Sequence, residues 1–253
     1  MSNKTLAVLV FISLGLGGYA TWKHLYKDAE EIAKLTVEGM QKIQAREAQE
    51  EKANQLSSIR ERAAELNSDK ESPFAGNIDG DLTIVYFFDY RCGYCRKADP
   101  VLDELLNSDS KLKVIYKEYP IFQDSMISSA ALAAHKQGRY MEMHRALMAH
   151  HGAFSKEVVL GIAKDLKLDI ELLEKDMKDV SVKEMIEKNH KMAESLGIHG
   201  TPMFIIGGSM ILPGSVSVDE FRSAIEKVRG ELAAGGTSMQ EEPPHDQQTK
   251  KES

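Results

Sequence analysis

The sequence predicts an α/β fold behind an N-terminal helical arm. Three observations carry that expectation. Two apolar runs, Leu82–Asp89 and Lys111–Tyr119, flank a helical segment as a βαβ unit; roughly Ser125–Leu196 is helical throughout; a strand hairpin and a helix then follow, ending at Gly230. A chain of 253 residues, 42% hydrophobic and 28% charged, can bury one good-sized core and carry a solvated extension. The formal net charge of -7, with Lys and Arg scattered, excludes nucleic acid as a partner, since phosphate contacts need a concentrated basic face.

Residues 1–27 read as a signal peptide or membrane anchor. After Lys4 come 18 uncharged residues before Lys23, and the dense apolar part, Leu6 to Leu16, has the length of a signal-peptide core. Gly18-Tyr19-Ala20 has the small-x-small spacing a signal peptidase accepts, while Tyr19, Trp22 and Tyr26 suit a membrane interface. Cleavage and anchoring both stay open, and either implies a periplasmic or other extracytoplasmic location. No cysteine lies near the junction, which excludes a lipoprotein.

Residues 28–72 hold no Pro and a single Gly among strong helix formers, so one or two long helices are expected. Their apolar positions fall in two narrow stripes, Ile32, Leu35, Met40 and Ile43, then Leu56, Ile59, Ala63 and Leu66. A stripe that narrow cannot fold alone and must pack on something. Self-association into a homo-oligomer through residues 28–72 is the expectation, with a solvated spacer as the alternative.

The compact domain is expected over 73–230. "LTIVYFFD", from Leu82 to Asp89, lacks alternation, the pattern of a strand buried on both faces. A helix runs from the cysteines to about Asn107, and "KLKVIYKEY" is the second strand, ended by Pro120. In the helical insertion, about 125–196, Gly138 separates two helices, Ser155 and Asp169 stand at N-cap positions, and Ser181 with Glu184 forms a capping box closed by Gly197. "TPMFIIGGSMIL" reads as a hairpin around Gly207-Gly208, and Ser217 with Glu220 caps a last helix. The tail, 231–253, is rich in Gly, Pro and charge and is expected to be disordered.

Both cysteines of the chain, Cys92 and Cys95, lie where the first strand gives way to its helix. Three uses compete. A disulfide across so short a loop is a weak staple, because the entropic gain shrinks with loop length. A zinc clip needs about four ligands, and His135, His144, His150, His151, His190 and His199 show no second pair at suitable spacing; copper(I), which two thiolates satisfy, is the metal alternative. Redox use fits the position better. At a helix N-terminus, unpaired N–H groups and the helix dipole stabilise a Cys92 thiolate. Cys95, one turn further in, can return to resolve a mixed disulfide.

"VYFFDYRCGYCRKADPVL", "YKEYPIF", "LAAHKQGRYMEMHRALM" and "GIHGTPMFIIG" resemble, in this order, the DsbA family of exported thiol-disulfide oxidoreductases. The resemblance covers about Ser72 to Gly230 and implies a thioredoxin fold with an inserted helical domain. It also implies clients that are cysteine-containing exported proteins, a separate redox partner, and no cofactor beyond the Cys92–Cys95 pair; no metal is expected. Thr201-Pro202 matches the family's cis-proline loop, which faces the cysteines and pairs with bound peptide. Gly93, Tyr94, Thr201 and Pro202 are thereby expected to bind substrate. Pro100 removes an internal hydrogen bond from the active-site helix, a structural feature.

One position departs from the pattern. Thioredoxin-like proteins usually carry a buried acid six residues before the first cysteine, and here that residue is Tyr86. A phenol with an ordinary pKa of about 10 is a poor base near neutral pH, so Glu118, Lys117 or water is expected to handle the Cys95 proton. Asp89, Arg91, Lys97 and His199 are further groups that could tune Cys92. His144, among Met141, Met143 and Leu147, reads as a packed helix residue, and the methionines as core. Gly93-Tyr94 and Thr201 resemble the pairings of the disulfide isomerase DsbC, and a self-associating arm suits an isomerase, which points to isomerase or reductase activity. A DsbA-type oxidase is the alternative, and an anchored oligomeric binding or scaffold protein with little turnover is another.

Overall fold

The structure, a computed structural model, describes residues 3–122 and 124–237, with side chains described at Glu31 and from residue 33 to 234 apart from 123. The side chains of the expected leader or anchor, 1–27, and everything after Thr237 lie outside the described residues. Among the described residues no helix is long and apolar enough to cross a membrane. The chain divides between Asn54 and Gln55 into two units.

Helix α1 spans Asn3–Glu61. In the first unit the large apolar side chains among the described residues are solvent-exposed, with Leu35 at 61%, Met40 at 56% and Ile43 at 55%. Exposed ion pairs such as Lys34–Glu38 and Arg46–Glu50 lie one turn apart along this stretch and contribute little each. The second stripe behaves differently from the expectation for 28–72. Ile59 and Leu66 are fully buried against Val85, Phe87 and Ile205, so these residues belong to the compact unit, which begins at Gln55 rather than near Pro73. The Gln55 amide donates to the carbonyls of Leu196 and Gly197, at 3.0 and 2.9 Å. A short helix α2, Ala63–Asn67, completes the segment.

The sheet has five strands in the order β1-β3-β2-β4-β5. They are β1 (Phe74–Gly76), β2 (Leu82–Phe88), β3 (Leu112–Glu118), β4 (Met203–Ile206) and β5 (Met210–Pro213). β2 and β3 are parallel and joined by α3 (Gly93–Ser108), the expected βαβ unit, while the other pairings are antiparallel. All seven residues of β2 are buried, which explains its unbroken apolar run. β1 lay hidden in the turn-rich "SPFAGNIDGD", because three residues are too few to show a period.

Between β3 and β4 stand α4 (Met126–Lys136), α5 (Tyr140–Ala149), α6 (Lys156–Asp165), α7 (Ile170–Asp176) and α8 (Val180–Ser195), the inserted helical domain. Ser155 and Asp169 cap α6 and α7 through Val158 N and Leu172 N. The cap of α8 is a correction: Asp179, not Ser181, accepts from the backbone, at Ser181 N. Gly138 and Gly197 take positive φ, 72° and 63°, as helix stops require. Gly207 and Gly208 turn the β4–β5 hairpin with φ of 58° and 65°, and the Ser209 N–H donates to the Ile206 carbonyl. Ser217 and Glu220 form the expected capping box. Helix α9, Val218–Thr237, passes through Gly230 instead of stopping there, so the first residues of the expected disordered tail are helical.

The two sheet faces bury different partners. Ile84, Tyr86 and Phe88 join a core with Ala98, Leu102, Leu147, Phe221 and Val228, whereas Val85 and Phe87 meet Ile59, Leu66, Met192 and Leu196. This is the thioredoxin arrangement, and it sets α3, with the cysteines at its start, on the face shared with the inserted helices.

Candidate active site

The site forms where β2 ends and α3 begins. Asp89 organises the connection: its Oδ1 accepts from Arg91 N at 2.7 Å, and its Oδ2 accepts from Ile121 N at 2.8 Å and Phe122 N at 3.3 Å. The Cys92 N–H donates to the Asp89 carbonyl at 3.0 Å, and Arg96 Nε to the Tyr90 carbonyl at 2.8 Å. Arg91 forms an ion pair with Asp124. The two segments that follow β2 and β3 are thus tied together before α3 starts.

Cys92 occupies the N-cap of α3, with extended backbone (φ -77°, ψ 114°). Its Sγ lies 3.3 Å from the carbonyl oxygen of Thr201, and Thr201-Pro202 is a cis peptide bond. Both cysteines are thiols. A hydrogen bond from Cys95, with the Thr201 hydroxyl nearby and the backbone N–H groups of Cys95 and Tyr94, outweighs burial and brings the Cys92 thiol down to about 5. Cys95 is fully buried. Desolvation, followed by the hydrogen bond to Cys92, pushes its thiol well up from the ordinary value. The pair is therefore polarised near neutral pH, with an ionised outer sulfur and a protonated inner one.

Around the pair, Tyr94 is 62% exposed and Gly93 has open space where a Cβ would stand. The Lys97 ammonium sits 5.7 Å from the Tyr94 ring centre. Pro100 lies inside α3 and deprives the Arg96 carbonyl of its usual donor. His199 is exposed and lines a cleft of about 470 Å³ with Tyr119, Ile121 and His190.

Tyr86 lies under the pair, fully buried, its ring stacked on Phe204 and Phe88. Its hydroxyl donates to the Cys95 carbonyl at 3.3 Å. Burial, then the nearby Cys95 and Asp99, raise its pKa well above the ordinary 10.0, so it is a weaker base still. Lys117 and Glu118 separate because adjacent strand residues face opposite ways. Lys117 points to the other face, where it pairs with Asp69 and donates to Ser72 Oγ at 3.0 Å. Glu118 faces the α3 side and accepts from Tyr90 and Tyr140 at 3.0 and 2.8 Å. Burial pushes its carboxyl up to about 8.

Sequence reasoning missed the remainder of this polar cluster. His144, read as a packed helix residue, is fully buried and has both ring nitrogens engaged, with Asp99 at 2.7 Å and Tyr90 at 2.9 Å. The available signal was Asp99, a carboxylate placed four residues after Cys95 on the buried helix face.

Residues 83–226 match the family of the DSBA-like thioredoxin domain. Among solved structures, a thioredoxin-like oxidoreductase from Silicibacter pomeroyi DSS-3 is 36% identical, with a TM-score of 0.63, covering 65% of this chain and 96% of that one. A linker-deletion mutant of Proteus mirabilis ScsC is 26% identical, with a TM-score of 0.67, covering 81% of this chain and 95% of that one. Among curated relatives, the probable disulfide bond formation protein D of Bacillus anthracis is 28% identical over 167 residues, 60% of this chain and 76% of that protein. The chain also matches part of a protein named Na(+)/H(+) antiporter NhaA 1 from Salinispora arenicola, 28% identical over 59% of this chain, and spans only 24% of that relative's length. With more than half of its length matched and its cysteine pair polarised for exchange, the chain belongs to the DSBA-like thioredoxin domain family of thiol-disulfide oxidoreductases.

Proposed function

We propose that the protein is an exported disulfide isomerase or reductase acting on cysteine-containing exported proteins, with Cys92 as nucleophile and Cys95 as resolving thiol. The observation that carries this reading is the contrast between the two sulfurs: Cys92 at about 5 beside the Thr201 carbonyl, Cys95 buried and held protonated. The Cys92 thiolate attacks one sulfur of a client disulfide, and the other client sulfur leaves as a thiolate. In isomerisation, a different client thiolate then displaces Cys92, leaving the electron count unchanged. In reduction, Cys95 loses its proton and attacks Cys92; two electrons pass to the client and Cys92–Cys95 becomes a disulfide. No cofactor takes part beyond the pair, and a separate redox partner resets it.

Tyr94, Gly93 and the Thr201-Pro202 loop form the client-binding surface, with the Thr201 backbone offered to an extended peptide. Homo-oligomer formation rests on Leu35, Met40 and Ile43, exposed along α1, a face that a second copy would cover. The apolar run Leu6 to Leu16 supports an extracytoplasmic location.

Insulin reduction and refolding of scrambled ribonuclease, with Cys92→Ser as control, test the reading. Cysteine-dependent activity in both supports it; activity in neither overturns it. The oxidase alternative draws on one observation, the similarity to the disulfide bond formation protein. Trapping the thiols directly from cells separates the two: a largely oxidised Cys92–Cys95 pair would favour the oxidase.

A further inference from the structure

A continuous chain of buried hydrogen bonds runs beneath the cysteines. Asp99 Oδ1 meets His144 Nε2 at 2.7 Å, His144 Nδ1 meets the Tyr90 hydroxyl at 2.9 Å, and that hydroxyl meets Glu118 Oε1 at 3.0 Å. His144 and Glu118 are fully buried, Tyr90 is 1% and Asp99 7% exposed. Packing alone does not call for four ionisable groups in a row, each costly to bury.

Counting protons shows what the chain can do. Its three contacts need one proton each, and the Tyr90 hydroxyl carries only one. If Tyr90 donates to His144, Glu118 must be a neutral acid donating to Tyr90. If Tyr90 donates to Glu118, His144 must donate from Nδ1, either as an imidazolium or with the third proton on Asp99. All three arrangements carry one net negative charge and differ only in where a single proton sits. Burial, which brings Glu118 to about 8, makes the arrangement with a neutral Glu118 accessible near neutral pH.

The near end of the chain lies one helical turn from the inner cysteine. Asp99 follows Cys95 by one helical turn on the same buried face. The Tyr86 phenol, bonded to the Cys95 carbonyl, feels the charges of both Cys95 and Asp99. We propose that the Asp99–His144–Tyr90–Glu118 chain takes the place of the acid missing at Tyr86 and receives the proton released by Cys95 during resolution. Asp99 is the entry, and His144, Tyr90 and Glu118 are positioning residues acting through it.

The step balances. Cys95 gives its proton to the chain, whose net charge goes from one negative to none. The sulfur's electron pair forms the bond to Cys92, and the bond between Cys92 and the client breaks. The client sulfur leaves as a thiolate with the electron pair.

The other groups around the chain do not compete for this proton. From the sheet, Tyr116 is raised well above 10.0 by burial, as is Tyr140 from α5. From α4, His135 sits edge-on to Tyr140, and burial lowers its pKa, which keeps it neutral. Asp103 of α3 and Arg145 of α5 neutralise each other at 2.8 Å, and the Asp89 carboxylate is held by backbone N–H groups.

This inference rests on the thiol-exchange reading, and the test separates the two. A mixed disulfide between Cys92 and a model peptide is formed, and its resolution by Cys95 is followed against pH in wild type, Tyr90→Phe and Glu118→Gln. Titration of the Cys92 thiolate near 240 nm reports that the site is intact. The expected result is resolution slowed by about tenfold or more near neutral pH, with an altered pH profile and an unchanged Cys92 titration. A profile of unchanged shape in both variants, whether or not uniformly slower, overturns the inference. Should a variant fail to fold, the remaining one and the ¹⁵N shifts of His144 decide. Glu118→Gln must change those shifts through Tyr90, and unchanged shifts overturn the inference. A wild-type protein with no cysteine-dependent exchange overturns the function reading instead.

Discussion

Cys92 Sγ stands 3.3 Å from the Thr201 carbonyl, although the two residues are 109 positions apart in the chain. The contact joins the start of α3 to the loop before β4 and places the nucleophile against the peptide bond of Thr201-Pro202.

The Cys92 thiol is lowered from 9.0 to about 5. A lowered acid stabilises the folded state at high pH, fully above the unfolded value near 9, and the contribution is lost as pH falls through about 5. Reduced wild type, compared with Cys92→Ser, is expected to gain stability as pH rises from about 5 to about 9, read by urea unfolding at several pH values. Alkylation of Cys92 should reach half its maximal rate near pH 5; a midpoint near the ordinary thiol value would contradict the site's geometry.

Thr201→Val keeps the side-chain shape and removes the hydroxyl that favours the thiolate. The Cys92 pKa should rise from about 5, measured by thiolate absorbance. A smaller thiolate fraction would slow attack on a client disulfide at mildly acidic pH and leave it nearly unchanged above pH ~7.

Introducing the missing acid is the converse experiment. Tyr86→Glu should speed the resolving step, read as a single-turnover rate with a peptide disulfide, while costing stability because the Phe204 and Phe88 stacking is lost. Tyr86→Phe keeps the stacking, and loses only the bond to the Cys95 carbonyl, a change of about 1 kcal/mol in unfolding free energy. An unchanged resolving rate in Tyr86→Glu would refute the idea that a proton acceptor limits this step.

The buried pair of Lys117 and Asp69 fastens the segment before β1 to the second face of the sheet. Burial raises the Asp69 carboxyl, but the Lys117 ammonium outweighs it and holds the group at about 2. Asp69→Asn strands a buried ammonium and should cost about 3–5 kcal/mol. Lys117→Met with Asp69→Asn should recover most of that loss, and denaturant unfolding of the single and double variants measures it.

Ile59 and Leu66 separate the two halves of the N-terminal arm in function. Ile59→Ala should cost about 2–5 kcal/mol, as a fully buried core side chain does, without changing the mass in solution. Deleting residues 28–54 should have the opposite pattern: an oligomer becomes a monomer, seen by light scattering, and the compact unit keeps its unfolding midpoint. A full-length protein that is already monomeric would refute the oligomer.

Periodicity and punctuation were enough to recover β2, α3, β3 and the helical insertion, because each is long or ends at a residue suited to stopping it, as Gly138 and Gly197 do by taking the positive φ that other residues avoid. The cysteine pair at a strand-helix junction, together with four separated motifs, pointed to the fold and to thiol exchange. Three-residue β1 escaped because a period needs length, and α9 ran past Gly230 because packing and helix formers on either side override one glycine. Local sequence could not say that Ile59 packs within its own chain while Leu35 stays exposed, since both sit in equally apolar stripes. Nor could it join Asp99, His144, Tyr90 and Glu118, four residues from four segments. Hydrogen bonds between distant segments depend on how the sheet and helices pack, so the polarity of the cysteines was written in the sequence, and the surroundings of their proton were decided only by the tertiary structure.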